Sequence, residues 1–238
     1  MAQVEPLVML PPMLCDARVF APQIAELSRE RVVICAPVHG AERIEEIASA
    51  LLDVLPPKFA VLGMGFGGNV ALELMRRAAA RVSRIAIVGT SPLQETPEQA
   101  AAREPRMIAA KMGRIEDVIA QEIPTADLFE QDGRSAVMAL LREMGQSLGP
   151  EAYVRQARAA QKRKDQTGVL REGDQSVMIM SGEIDPVLTP RRLAFLSELV
   201  EIAEVRTIDA AGVLPTLENP TAVSDALRDW LGAPMLLR

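Results

Sequence analysis

Histidine is almost missing from this chain: among 238 residues a single imidazole occurs, at His39. Cysteine is nearly as scarce, and the two present, Cys15 and Cys35, make neither a metal-ligand spacing nor a disulfide framework. The expectation is a chain without a metal or other cofactor, kept in a reducing compartment. No run reaches the roughly 18 apolar residues that a membrane helix needs. The opening MAQVEPLVMLPPML has no basic region and its apolar run is broken by prolines, so it does not read as a secretory signal and a cytoplasmic location is expected. Positive charge is short as well. The formal net charge is -6, and without a basic face neither nucleic acid nor an anionic membrane is an expected partner.

What is present is an ordinary globular composition, 49% hydrophobic and 24% charged. Short apolar runs rich in β-branched residues recur at Leu7-Leu10, Arg31-Cys35, Ala60-Gly63, Arg84-Gly89, Ser176-Met180 and Glu204-Ile208, with helical segments between them. That alternation predicts an α/β fold with a mostly parallel sheet of about six strands and helices on both faces. Asp16 is placed to cap a helix running toward Ser28, Ala41-Leu55 has helical periodicity, and a last helix is expected at about Pro220-Leu231. The alternation fails over Pro97-Gln166, a strand-free stretch that reads as three or four inserted helices. One domain, 1-238, with a helical insertion at about 97-166, is the organisation expected at this length.

The segment FAVLGMGFGGNVALELM, Phe59 to Met75, reads as strand, glycine-rich turn and helix, and the turn fits two motifs. Gly63-x-Gly65-x-x-Gly68 matches a dinucleotide fingerprint. That reading requires an acidic residue at the end of the next strand, but this strand runs into Thr90-Ser91-Pro92. Gly63-x-Gly65-x-Gly67 matches a nucleophile elbow whose central residue is glycine. The elbow reading requires an Asp or Glu after a later strand and then a His near the C-terminus, in the chain order nucleophile, acid, histidine.

LVMLPPML at 7-14, the elbow region at 60-92, MIMSGEIDPVLTP at 178-190 and TIDAAGVLPTLENPTAVSDALRDWL at 207-231 together resemble the α/β-hydrolase family along almost the whole chain. The resemblance implies that Gly65 stands at the nucleophile position, usually serine. It places Asp185 at the acid position and Val213 at the histidine position. It also assigns the oxyanion amides to Phe66 and Met13, with Pro12 in place of the usual glycine. No triad is then intact, since only Asp185 of its pattern is retained. A serine hydrolase needs an Oγ to attack and an imidazole to carry the proton, and neither Gly65 nor Val213 supplies one.

Simple structural accounts exist for both changes. Glycine relieves the positive φ that an elbow imposes, worth about 1-3 kcal/mol, and valine fills space against a pocket wall. His39 reads as a loop residue and Cys15 as a structural thiol. Asp185 is expected to hydrogen-bond nearby backbone amides. Met13, Met64, Met107, Met112, Met138 and Met144 read chiefly as core filling. Arg103, Arg106, Lys111, Arg114 and Lys162-Arg163-Lys164 interleave with acids and read for the most part as solvated helix faces.

The first functional reading is a non-catalytic pseudoenzyme that binds a small apolar or carbonyl-bearing molecule beside Met13, Gly65, Phe66, Asp185 and Val213. The second is a hydrolase of ester or other acyl substrates working by a non-serine route. The third is a protein-interaction module with a vestigial pocket.

Overall fold

A computed structural model describes residues 4–201 and 203–234. The first three residues of the segment read against a secretory signal lie outside them. Six strands form: β1 Leu7–Leu10, β2 Val33–Cys35, β3 Phe59–Met64, β4 Val82–Val88, β5 Ser176–Gly182 and β6 Ala203–Ile208. They make one sheet in the order β2-β1-β3-β4-β5-β6, and every neighbouring pair is parallel.

Parallel neighbours need crossovers, and helices supply them. Helix α1 (Ala21–Leu27) joins β1 to β2, α2 (Ile44–Val54) joins β2 to β3, and α3 (Phe66–Arg77) joins β3 to β4. Between β4 and β5 stand α4 (Pro97–Lys111), α5 (Ile115–Glu122), α6 (Arg134–Lys162) and α7 (Thr167–Glu172). Helix α8 (Pro190–Leu199) joins β5 to β6, after which α9 (Pro215–Glu218) and α10 (Pro220–Gly232) follow. The Gly149-Pro150 signal, read as punctuation, is a kink inside α6: Gly149 has φ 76° and ψ 174°, and helix continues on both sides. Among the described residues no helix is long and apolar enough to cross a membrane.

Alternation along the strands fills both faces of the sheet. Leu7, Met9, Leu62 and Met178 are buried in the same cluster as Phe20, Leu227 and Trp230, beneath α1 and α10. Val8, Leu10, Val61, Ile85 and Ile179 are buried with Ile47, Leu51, Val70 and Leu74 of α2 and α3. Strands covered on both faces read as continuous apolar runs, as these do. The inserted helices have their own apolar contacts, Met107 and Ala110 of α4 with Ile119 of α5 and Leu141 and Met144 of α6, and these join the first cluster. Because β2 lies on one side of β1 and β3 on the other, the strand order reverses between β1 and β3. At such a reversal the loops leaving the carboxyl ends diverge and open a crevice.

Candidate functional site

The connection after β3 is a single residue, Gly65. Gly65 has φ 52° and ψ -118° and leads directly into α3, which starts at Phe66. Its N–H donates to the Val88 carbonyl at 2.9 Å, and its carbonyl accepts from Thr90 Oγ1 at 3.2 Å. The neighbouring glycines answer to close packing. A Cβ on Gly67 would strike the Leu10 carbonyl, and one on Gly68 would strike the Thr90 hydroxyl. These glycines bring α3 against β1 and β4. They bring chain to chain, whereas a phosphate cradle would bring chain to ligand.

Pro12, in the loop after β1, occupies the space in front of Gly65. A Cβ built on Gly65 would stand 3.1 Å from the Pro12 Cβ, closer than ordinary van der Waals contact between carbons. A side chain at the elbow would therefore have to displace the proline ring.

Asp185 follows β5 and is buried. Its Oδ1 accepts from the Val187 N–H at 2.7 Å and the Leu188 N–H at 3.2 Å, while Oδ2 has no hydrogen-bond partner. Burial pushes this carboxyl above its ordinary value, with the two backbone N–H bonds opposing and the Asp127 charge adding to the rise. Asp185 Oδ2 and the Val213 carbonyl lie 3.1 and 4.0 Å from the point where a Cβ on Gly89 would stand. The two residues are thus brought to one place behind Gly89, although 28 positions apart in sequence.

Val213 is fixed through its backbone. Its N–H donates to the Asp127 carbonyl at 3.0 Å, and on either side Gly212 and Leu214 donate to Glu218 Oε2 at 3.0 and 2.9 Å. The other oxygen of Glu218 accepts from the Phe129 N–H at 2.6 Å. Glu218 is buried and burial raises its carboxyl. Sequence reasoning gave it no role. The available signal was an acid four residues after Leu214, the spacing at which a short helix turns a side chain back onto the amides that precede it.

A cavity of about 210 Å³ lies between the sheet edge and the inserted helices. Met13, Gly65, Phe66 and Val213 line it, whereas Asp185 stands behind the wall formed by Gly89, Pro186 and Val187. Phe66 opens α3, so its N–H belongs to the first turn, which has no acceptor inside the helix. Met64 is on the wall too, while Met107, Met138 and Met144 are packed in the core and Met112 is exposed.

The solvated-face reading needs correction at two arginines. Arg103 and Arg163 line the cavity, and the Arg103 side chain is only 14% exposed. Arg103 pairs with Glu95 at 2.5 Å and reaches Glu122 at 3.4 Å, and Arg106 meets Glu122 at 3.0 Å. Tyr153 donates its hydroxyl to the same Glu122 at 2.6 Å. These charges are covered because α4 packs along α6 over the sheet edge, and helical spacing cannot show which polar stripe a neighbouring helix will cover.

His39 and Cys15 are not on the cavity wall. His39 is half-buried in the loop after β2, where its carbonyl accepts from Arg155 Nε at 2.7 Å. Cys15 is buried, and burial pushes its thiol far above the ordinary range. A buried neutral thiol is a poor nucleophile.

The sequence pattern of the alpha/beta hydrolase family matches residues 7–226. A pimeloyl-[acyl-carrier protein] methyl ester esterase of Aromatoleum aromaticum is 42% identical over 80 residues, 31% of this chain and 32% of that protein. The match therefore spans about a third of the curated relative. Among solved structures, a thermophilic esterase from Thermogutta terrifontis superposes with a TM-score of 0.87 at 21% identity, covering 96% of this chain and 90% of that one. An enol-lactonase from Burkholderia xenovorans superposes with a TM-score of 0.85 at 21% identity, covering 98% and 93%. The matched pattern spans nearly the whole described chain, and the chain belongs to the alpha/beta hydrolase family.

Proposed function

We propose that this family member has given up serine-hydrolase chemistry and binds a small apolar or carbonyl-bearing molecule in the cavity above Gly65. One observation carries the reading: the Pro12 ring stands 3.1 Å from the point where a side chain on Gly65 would begin. The nucleophile is absent, and a side chain in its place would press on the Pro12 ring. Without an Oγ no acyl-enzyme forms, and with Val213 in the histidine position no imidazole takes or returns a proton. What remains is a cavity, open on one side, whose floor is the first turn of α3. Its amides suit a carbonyl oxygen, and Met13, Met64 and Val213 suit an apolar body.

The test is calorimetric titration of the purified chain with a panel of small esters, ketones and lactones, with product analysis of each mixture. The reading expects saturable binding of at least one compound, recovered unchanged, and loss of that binding when Val213→Phe fills the cavity. Hydrolysis of the bound compound, or no binding across the panel, would overturn it.

A second reading is favoured by Asp185. Its Oδ2 lacks a partner and burial holds the carboxyl toward its neutral form, which puts a group able to exchange a proton just behind the cavity wall. Relatives named as an esterase and an enol-lactonase cleave acyl bonds. Turnover of an activated ester that disappears in Asp185→Asn would establish this route.

A further inference from the structure

We infer that the cavity is built for a small organic carboxylate, whose anion is held by Arg163. The inference rests on the proposed reading that the cavity takes a small molecule, and it names the chemical class.

Arg163 follows the last turn of α6, lines the cavity and is 8% exposed. Its Nη1 donates to the Pro92 carbonyl at 3.1 Å and its Nη2 to the Leu93 carbonyl at 2.6 Å, while Nε has no acceptor. A guanidinium carries five N–H groups, so the two carbonyls orient it and leave donors over. Among the described residues no carboxylate reaches it within ion-pair distance. Glu95 and Asp165 are the carboxylates whose fields act on it, and both are engaged elsewhere. Glu95 receives Arg103 on both oxygens, and Asp165 receives the Thr167 N–H and hydroxyl.

The cavity wall carries Arg103 and Arg163 against Glu95, Glu122 and Asp127, and of the two arginines Arg163 is the one without an ion-pair partner. Arg103 is matched by Glu95, and Arg106 by Glu122. Asp127, half-buried, belongs to the Val213 side. Arg163 is left as the buried cation of the cavity without a counter-ion, and a buried charge left unpaired is strongly unfavourable. An anionic ligand removes that cost. The N-terminus of α3, a helix of 12 residues, opens onto the same cavity at Phe66 and adds positive potential. A planar carboxylate matches the guanidinium edge, and Met64, Ile123 and Leu214 on the wall accept a hydrocarbon chain.

The test compares hexanoate with its neutral isostere hexanamide by calorimetry on the full chain at neutral pH, with inorganic phosphate as a third probe. Hexanoate is expected to bind at least about tenfold more tightly than hexanamide. Arg163→Gln should erase the preference, and Arg163→Lys should keep part of it. Should Arg163→Gln fail to fold, the Arg163 Nη–H resonances of the wild-type chain read the contact, and they are expected to shift on saturation with hexanoate. Equal binding of hexanamide, or unmoved Nη–H signals at saturation, overturns the carboxylate assignment and leaves small-molecule binding standing. Tighter binding of phosphate than of hexanoate overturns it also. Failure of all three probes, together with failure of the neutral ester and ketone panel, removes the binding reading and this inference with it.

Discussion

Pro12 and Gly65 meet across the reversal in strand order: the proline Cβ is 3.1 Å from where a side chain on Gly65 would start. The two residues belong to the loops after β1 and β3, and their contact narrows the space in which the family's nucleophile would stand. They are therefore expected to couple energetically.

Gly65→Ser should lower stability by about 1-3 kcal/mol through the positive φ alone, with the proline contact adding to it. In a Pro12→Gly background the same change should cost less. A coupling of about 0.5-3 kcal/mol from a double-mutant cycle in urea is the expected result. Strict additivity would show that the ring yields freely.

Recovery of catalysis should follow the same contact. Gly65→Ser with Val213→His restores serine, histidine and Asp185 in the family's order, and neither change alone should support ester hydrolysis because the groups act as a unit. Adding Pro12→Gly should raise the rate of the pair. A folded triple variant with no activity on several acyl substrates would place the loss in the oxyanion amides or the cavity.

Much of this was legible in the sequence, for a local reason. Strand runs such as Ala60-Gly63 and Arg84-Gly89 are apolar because both faces of the sheet are covered, and the elbow glycines form a recognisable local spacing even though Gly67 and Gly68 are held by Leu10 and Thr90, far away in sequence. Gly65, Asp185 and Val213 each sit at the end of an element whose position the alternation already implies. Arg103 and Arg163 were not legible. Their charge pattern is that of a solvated helix, and only the packing of α4 and α6 over the sheet edge turns them inward. The Pro12 contact was hidden likewise, since it depends on β1 and β3 being neighbours.

Burial holds the Asp185 carboxyl above its ordinary value of 3.8, so the folded chain binds this proton more tightly than the unfolded chain. The resulting contribution to stability is fully present below the ordinary value and is lost as pH rises through the higher folded one. Asp185→Asn removes that dependence while keeping an acceptor for Val187 and Leu188. Denaturation between about pH 4 and about pH 7 should show the variant gaining on the wild type as pH rises. A constant difference would contradict the assignment. Glu218 is raised in the same direction, in part by the Asp185 charge, so Asp185→Asn relieves some of that rise as well and adds to the same trend.

Glu218→Ala leaves the N–H groups of Phe129, Gly212 and Leu214 without their acceptor. Each buried donor left unsatisfied costs about 1-3 kcal/mol, so this variant should be among the most destabilising single changes near the cavity. Chemical denaturation measures it, and a loss below about 1 kcal/mol would mean that water replaces the carboxylate.

The central claim, that the fold persists here without its serine chemistry, is tested most directly by the rate of hydrolysis of an aryl ester by the purified wild-type chain against a denatured control. The account predicts equal rates, with no residue labelled by a serine-directed phosphonate. A saturable rate above the control, lost on stoichiometric labelling of a serine by the phosphonate, would contradict it.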